Sequence, residues 1–215
     1  MLYEKERRGM VRKLITNGFL KSERIIHAMD YIPRHIFLNE KYAAFGYEDC
    51  PLSIGKGQTI SAPHMVAIMC ECLDLKQGQK VLEIGSGSGY HASIVSSVIG
   101  DGMVYSIERL PELATIARSN IKKVGCDRVK IIVGDGNKGY NDEAPFDRIY
   151  VTAGGMDIPN KLLEQLLPDG KLLMPIGSRN TQDLILVEKN KGSVIRKNFG
   201  MCRFVPLVGE FGWIE

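Results

Sequence analysis

Nowhere in the chain does an apolar run approach the ~18 unbroken residues that a membrane-spanning helix needs. Apolar stretches such as Ile94-Val95 and Val98-Ile99 are broken by serine or glycine, so no membrane partner is expected. The start, Met1-Leu2-Tyr3-Glu4-Lys5-Glu6-Arg7-Arg8, carries charge with no apolar run behind it and does not read as a secretory signal. An excess of one charge sign is also missing: 28 Lys and Arg against 25 Asp and Glu leave +3, with the signs interspersed. Nucleic-acid binders neutralise phosphates with clustered Lys and Arg, so no nucleic-acid partner is expected. Cysteine is sparse and odd in number: the five (Cys50, Cys70, Cys72, Cys126, Cys202) are scattered and read as reduced thiols of a cytoplasmic protein. Cys70 and Cys72 stand two apart in a helical pattern, on different faces, so even with His64 nearby no metal site is expected. Internal repeats, low-complexity tracts and linkers are absent as well.

What is present is an average globular composition, 44% hydrophobic and 25% charged. At this length one core buries roughly 70% of the unfolded chain's surface. From Val81 onward β-branched runs alternate with helical patterns, the mark of a parallel sheet covered by crossover helices. Strands are expected at Lys80 to Ile84, Met103 to Ile107, Val129 to Val133, Arg148 to Thr152 and Leu172 to Pro175. Helices are expected up to Ile99, from Pro111 to near Gly125, and from Pro159 through Leu162, Leu163, Leu166 and Leu167 to the breaker Pro168-Asp169-Gly170. Strand formers at Leu184 to Val187, Val194 to Arg196 and Arg203 to Leu207 predict antiparallel closing strands. Ahead of the sheet, Met10, Val11, Leu14 and Ile15, then Ile25, Ile26 and Met29, fall at helical spacing, with Ser22 as an N-cap and Pro33 as a stop. Gly46 to Ser61 is expected to be an irregular functional loop.

The turn between the first parallel strand and its helix reads Gly85-Ser86-Gly87-Ser88-Gly89-Tyr90. Glycine there permits a tight turn and close ligand approach, and the helix start behind it offers free N–H groups. A dinucleotide fingerprint has its third glycine one place later, where this chain has Tyr90. The spacing, with Glu83 inside an apolar strand, resembles the S-adenosylmethionine methyltransferases, in which the acid and the glycine backbone hold the cofactor's zwitterionic tail. Glu108, followed by Arg109, ends the second strand where a ribose-binding acid belongs, and Asp135-Gly136 past the third strand could meet an adenine amino group. Taken alone, Glu108 also reads as a solvated acid paired with Arg109, and Asp135-Gly136 as a turn. Methylases of amides and base amino groups usually carry an Asn/Asp-Pro-Pro-aromatic turn after the fourth strand; Tyr150-Val151-Thr152-Ala153-Gly154-Gly155 is not one.

The segment Gly55-Lys56-Gly57-Gln58-Thr59-Ile60-Ser61-Ala62-Pro63-His64-Met65 narrows the resemblance to the protein-L-isoaspartate (D-aspartate) O-methyltransferases. Tyr31 to Phe37, Gly134-Asp135-Gly136, Leu167 to Leu172 and Arg203 to Gly209 extend it over nearly the whole chain, while Gly154-Gly155-Met156-Asp157 departs from the family's alanine-rich turn. The resemblance implies a Rossmann-like α/β fold, mostly parallel, with helices on both faces. It implies N-terminal helices and a substrate-side loop over 1–60, a cofactor-binding core over 61–187 and closing strands over 188–215. It further implies a monomer that uses S-adenosyl-L-methionine to methylate the free carboxyl of isoaspartyl residues in damaged proteins and peptides, the ester collapsing to a succinimide. Gln58, Thr59, Ile60 and Ser61 join the cofactor residues by this resemblance, and the Ser61 hydroxyl orients the acceptor carboxylate. Without the family, Ser61 reads as the N-cap of a helix opened by Ala62-Pro63, and His64 as helix surface or packing. A carboxylate of pKa ~4 is already ionised at neutral pH, so no general base is required. Two other readings stay open at this level: a methyltransferase of a small molecule or RNA, and an adenosine-binding module without activity.

Overall fold

The computed structural model describes residues 3–190 and 193–214. Met1 and Leu2 of the charged start, and Lys191, Gly192 and Glu215 of the closing segment, lie outside the described residues. Two helices, α1 (Glu4–Thr16) and α2 (Glu23–Tyr31), and a short α3 (Glu40–Ala43) precede a hairpin of β1 (Leu52–Gly55) and β2 (Gln58–Ile60). Helix α4 (Pro63–Leu73) leads into the alternating region: β3 (Lys80–Ile84), α5 (Tyr90–Ile99), β4 (Met103–Glu108), α6 (Pro111–Lys123), β5 (Val129–Val133) and β6 (Phe146–Val151). Then come α7 (Asn160–Glu164), β7 (Leu166–Gly177), β8 (Gln182–Asn190) and β9 (Ser193–Cys202).

The large sheet runs in the order β5-β4-β3-β6-β7-β8-β9. It is parallel through β7, and β8 and β9 close it antiparallel. The chain builds outward from β3 through β4 to β5, then crosses back to lay β6 on the other side of β3. That reversal opens a crevice at the carboxyl ends of β3 and β6, where open α/β sheets bind ligands. Alternate residues of one strand feed opposite faces: Val81 packs with α1, α2, α4 and α5, and Leu82 with Ile149, Leu172 and the α7 residue Leu162. From Val81 to Ile84 β3 is buried on both faces and apolar but for Glu83, while Lys80 at its start is half-buried.

Four expectations need correction. The stretch Gly46 to Ser61 is not wholly irregular, because Leu52 and Ser53 pair with Ile60 and Thr59 across a tip whose Gly55, Lys56 and Gly57 all have positive φ. Helix α7 stops at Glu164 rather than Leu167, since Leu166 already pairs with Phe146 of β6. Pro168-Asp169-Gly170 accordingly falls inside β7 as an irregularity, where Asp169 is left-handed and a side chain on Gly170 would strike Leu166 and the Leu167 carbonyl. Ser22 stands at the N-cap of α2 but makes no side-chain cap; its hydroxyl donates instead to Glu71 Oε2 at 2.5 Å, tying α2 to α4. Finally, Arg203 to Leu207 is no ladder strand. It is an extended segment bridged to Gly154, with Leu207 N and Gly154 N donating to Gly154 O and Val205 O at 2.8 Å each.

Candidate active site

The crevice is a cavity floored by the glycine turn. Gly85 leaves β3 with φ +95 and donates to Ile107 O at 2.8 Å, which turns the loop across the end of β4. A side chain at Gly85 would meet Thr152 Oγ1, which itself donates to Gly85 O at 2.7 Å, so only glycine fits that crossing. Glu108 ends β4 at 7% exposure, its two oxygens accepting from Gly87 N at 2.9 Å and Leu110 N at 3.0 Å. The hairpin forms the opposite wall: Lys56 reaches α6 through Glu112 at 2.7 Å, Ile54 packs over Gly87, and Gln58 to Ser61 face the glycine turn.

Of the residues expected from sequence, the structure brings Gln58, Thr59, Ile60, Ser61, Gly85, Ser86, Gly87, Tyr90, Glu108, Arg109 and Gly136 into one lining. Glu83, Gly89 and Asp135 stand outside it. Glu83 is sealed within the sheet, where Tyr150 Oη donates to it at 2.8 Å and Ser106 Oγ donates to its other oxygen. Burial pushes its pKa up to about 8 against those two hydrogen bonds, and the nearby Glu108 charge adds to the rise. Ser106 Oγ in turn lies 2.6 Å from Ser86 Oγ, so the acid props the turn from below. Gly89 is glycine because a side chain there would press on Ile121 and the Ala117 carbonyl of α6. Asp135 folds back on its own loop, accepting from Asn137 N at 3.0 Å and Glu210 N at 2.9 Å, which clamps the tail beside the cavity.

Ser61 is not a helix cap. Ala62 holds the N-cap position of α4, and the free N–H of His64 is taken by Asp49 Oδ1 at 2.9 Å, an acid 15 residues upstream. The hydroxyl is thereby left to the cavity. His64 stays on the helix flank, its Nδ1 2.9 Å from the same Asp49 oxygen. His91 does reach the lining; burial pushes its pKa down to about 3, and its Nε2 lies 3.5 Å from Cys70 Sγ. The sequence reading also assigned no contact to Thr152, Ala153 and the tail residues Val205 to Val208, which complete the lining. Arg203 to Gly209 was visible as a distinctive segment, but nothing in its pattern told that the Gly154 bridge would fold it over the sheet edge. Among the described residues no three His, Cys, Asp or Glu side chains gather as a metal site.

These residues fit S-adenosyl-L-methionine. Gly85 to Ser88 bring small residues and their backbone to the cavity, Glu108 offers acceptors to vicinal hydroxyls, and Ile84, Ile107 and Leu110 supply apolar wall. A mostly parallel sheet with this turn and this acid defines the class, the Rossmann-like S-adenosylmethionine-dependent methyltransferases. Within that class, the family model of protein-L-isoaspartate(D-aspartate) O-methyltransferase (PCMT) matches residues 5–212, and the chain belongs to that family. It is 53% identical to the protein-L-isoaspartate O-methyltransferase of Methanopyrus kandleri, over 100% of this chain and 96% of that one. Identity to the Methanococcus aeolicus enzyme of the same name is 52%, over 97% of each. A solved protein-L-isoaspartate O-methyltransferase superposes with TM-score 0.88 at 32% identity, over 96% of this chain and 67% of that one. A Plasmodium falciparum chain described under the same name, in complex with S-adenosyl-L-homocysteine, gives 0.84 at 28% identity, over 94% and 98%.

Proposed function

We propose that the protein transfers the methyl group of S-adenosyl-L-methionine to the free α-carboxyl of L-isoaspartyl residues in damaged proteins and peptides, with D-aspartyl residues as a second acceptor. The ester then closes to a succinimide, part of which reopens as normal aspartate. The observation that carries this is the pairing of the glycine turn and Glu108 with the Gln58 to Ser61 wall in one cavity. When bound, S-adenosylmethionine supplies a methyl on sulfonium sulfur; a carboxylate oxygen bonds to that carbon as the sulfur–carbon bond breaks and its electron pair stays on sulfur.

The chain's own part is placement. Ser61, freed from capping, hydrogen-bonds the acceptor carboxylate and fixes its orientation, while Gln58, Thr59 and Ile60 close the hairpin wall around it. Glu108 holds ribose hydroxyls, with Arg109 and Gly136 beside it, and the backbone from Gly85 to Gly87 holds the polar tail. Tyr90 and Thr152 line the same space. With a nucleophile already charged, positioning and exclusion of water carry the rate. We read the chain as one methyltransferase domain, and as a cytoplasmic monomer with no nucleic-acid partner, on its near-neutral interspersed charge and five separate thiols. Radiolabelled methyl transfer to paired peptides, one isoaspartyl and one aspartyl, tests the assignment. Label confined to the isoaspartyl member supports it, and equal or absent labelling of both rejects it.

A further inference from the structure

Arg34 opens the 3-10 turn that follows α2 and is completely buried. Its guanidinium stays charged at neutral pH and presents five N–H donors. Only Nη2 has a contact, a long one of 3.5 Å to Cys50 O; Nε and Nη1 have no partner. Asp49 is a carboxylate whose charge reaches it, and its Oδ1 already accepts from His64 N and lies 2.9 Å from His64 Nδ1. Arg7, also buried, adds positive charge around the same Tyr47 and Tyr90 rings, where the acids acting on it are Asp30, at 4.0 Å, and Glu4.

A buried cation without a counter-charge is costly, and its partner is to be looked for in what binds nearby. The Arg34 guanidinium carbon sits 5.0 Å from the centroid of the Tyr90 ring. Tyr90 in turn is cavity wall, alongside Ser61 and His91, and its own buried hydroxyl has no partner. We propose that Arg34 is a specificity-determining, positioning residue whose charge, carried to the cavity across Tyr90, selects an anionic acceptor over a neutral one. This rests on the reading of the cavity as an isoaspartyl methyltransferase site. A unit charge ~10 Å from a carboxylate, at an effective dielectric of about 20, favours its binding about tenfold.

The reaction gives this charge a direction. The acceptor is an anion on entry, loses charge as the oxygen–carbon bond forms, and leaves as a neutral ester. Arg34 therefore holds the bound substrate more strongly than the transition state, and the product least of all. Its effect falls on KM for the peptide and not on kcat, and it speeds release of the ester.

The test uses the isoaspartyl peptide and the same peptide with that carboxyl replaced by carboxamide, a neutral isostere read as a competitive inhibitor. The wild-type protein is expected to bind the carboxylate at least tenfold more tightly than the carboxamide. Arg34→Gln should raise KM for the carboxylate peptide about tenfold, leave Ki for the carboxamide and Kd for S-adenosylhomocysteine unchanged, and not lower kcat; Arg34→Lys should keep the discrimination. An unchanged KM in folded Arg34→Gln, or an equal loss for both peptides, overturns the proposal. Should Arg34→Gln fail to fold, equal affinity of the wild type for the two peptides overturns it alone. Wild-type protein that binds cofactor but methylates no isoaspartyl peptide fails the underlying reading instead.

Discussion

Replacing Ser61 by alanine separates a structural from a chemical role more sharply than any other single change. Were Ser61 the N-cap of α4, its loss would cost about 1 kcal/mol of stability. The structure assigns that work elsewhere: Ala62 occupies the cap position and Asp49 satisfies the His64 N–H. Ser61→Ala is therefore expected to melt within about 1 °C of wild type, because an uninvolved, part-buried hydroxyl costs a few tenths of a kcal/mol at most. Activity should behave oppositely. A hydroxyl hydrogen bond to a charged acceptor is worth about 1.5–3 kcal/mol, or ~10- to 150-fold, and loss of orientation multiplies it. We expect methyl transfer to isoaspartyl peptide to fall ~10²-fold with cofactor affinity within twofold of wild type. Ser61→Thr, which keeps the oxygen but adds a methyl group, should fall between the two. The assay is single-turnover radiolabelled methyl transfer well below the melting transition, beside calorimetric titration with S-adenosylhomocysteine. Turnover of Ser61→Ala within twofold of wild type would refute the role, and a drop in stability of ~1 kcal/mol would refute the capping argument.

The capping argument has a counterpart at Asp49: Asp49→Ala should destabilise the protein by ~1 kcal/mol and lower Tm by about 2–4 °C, as read by thermal melting. Glu108→Gln removes an acceptor that meets both Gly87 N and the cofactor's expected ribose, so cofactor KM should rise at least tenfold with kcat little changed; an unchanged cofactor KM would reject the assignment. Glu83 has its pKa raised from 4.5 to about 8, so the folded state holds the extra proton between those values. Its contribution to stability is fully present below 4.5 and lost as pH rises through 8, so Glu83→Gln should flatten the decline in urea midpoint from pH 5.5 to 8.5. Comparison with that variant cancels His91, whose lowered pKa acts in the opposite direction below 6.5. Activity should survive exhaustive chelation, and inhibition by EDTA that added Mg²⁺ or Zn²⁺ reverses would contradict the metal-free reading.

Where local chemistry sets the outcome, the sequence was a good guide. Pro111 at the first turn of α6 and the apolar run of β3 fixed their elements closely because each signal acts within a few residues. The misjudged places depend on partners distant in sequence. Leu166 reads as helix until β6 offers it Phe146 to pair with, and Ser22 reads as a cap until Glu71, 49 residues on, takes its hydroxyl. The site follows the same division. The backbone turn at Gly85 was legible as chemistry, whereas the sequence did not show that Glu83, inside β3, and Asp135, just past β5, accept hydrogen bonds from Tyr150, Ser106, Asn137 and Glu210. No pattern in the strands themselves distinguishes an acid that faces a ligand from one that braces the loop holding it.

That distinction bears on how the site works. Burial acts strongly on two side chains near the cavity that would otherwise titrate between pH 4 and 7: it raises Glu83 to about 8 and lowers His91 to about 3. In a reaction that removed a proton from its acceptor, such groups would be the first suspects for acid and base. Here the acceptor arrives ionised and the reaction cancels a carboxylate against a sulfonium, so no proton is in play. Burial then serves a different end: Glu83 links Tyr150 to Ser106, and through it Ser86, and its raised pKa weakens the negative charge it sets beside Glu108. The loop is braced by hydrogen bonds whose strength does not change as charge disappears in the cavity. A framework that stays fixed while its two reactants neutralise one another is what catalysis by placement requires.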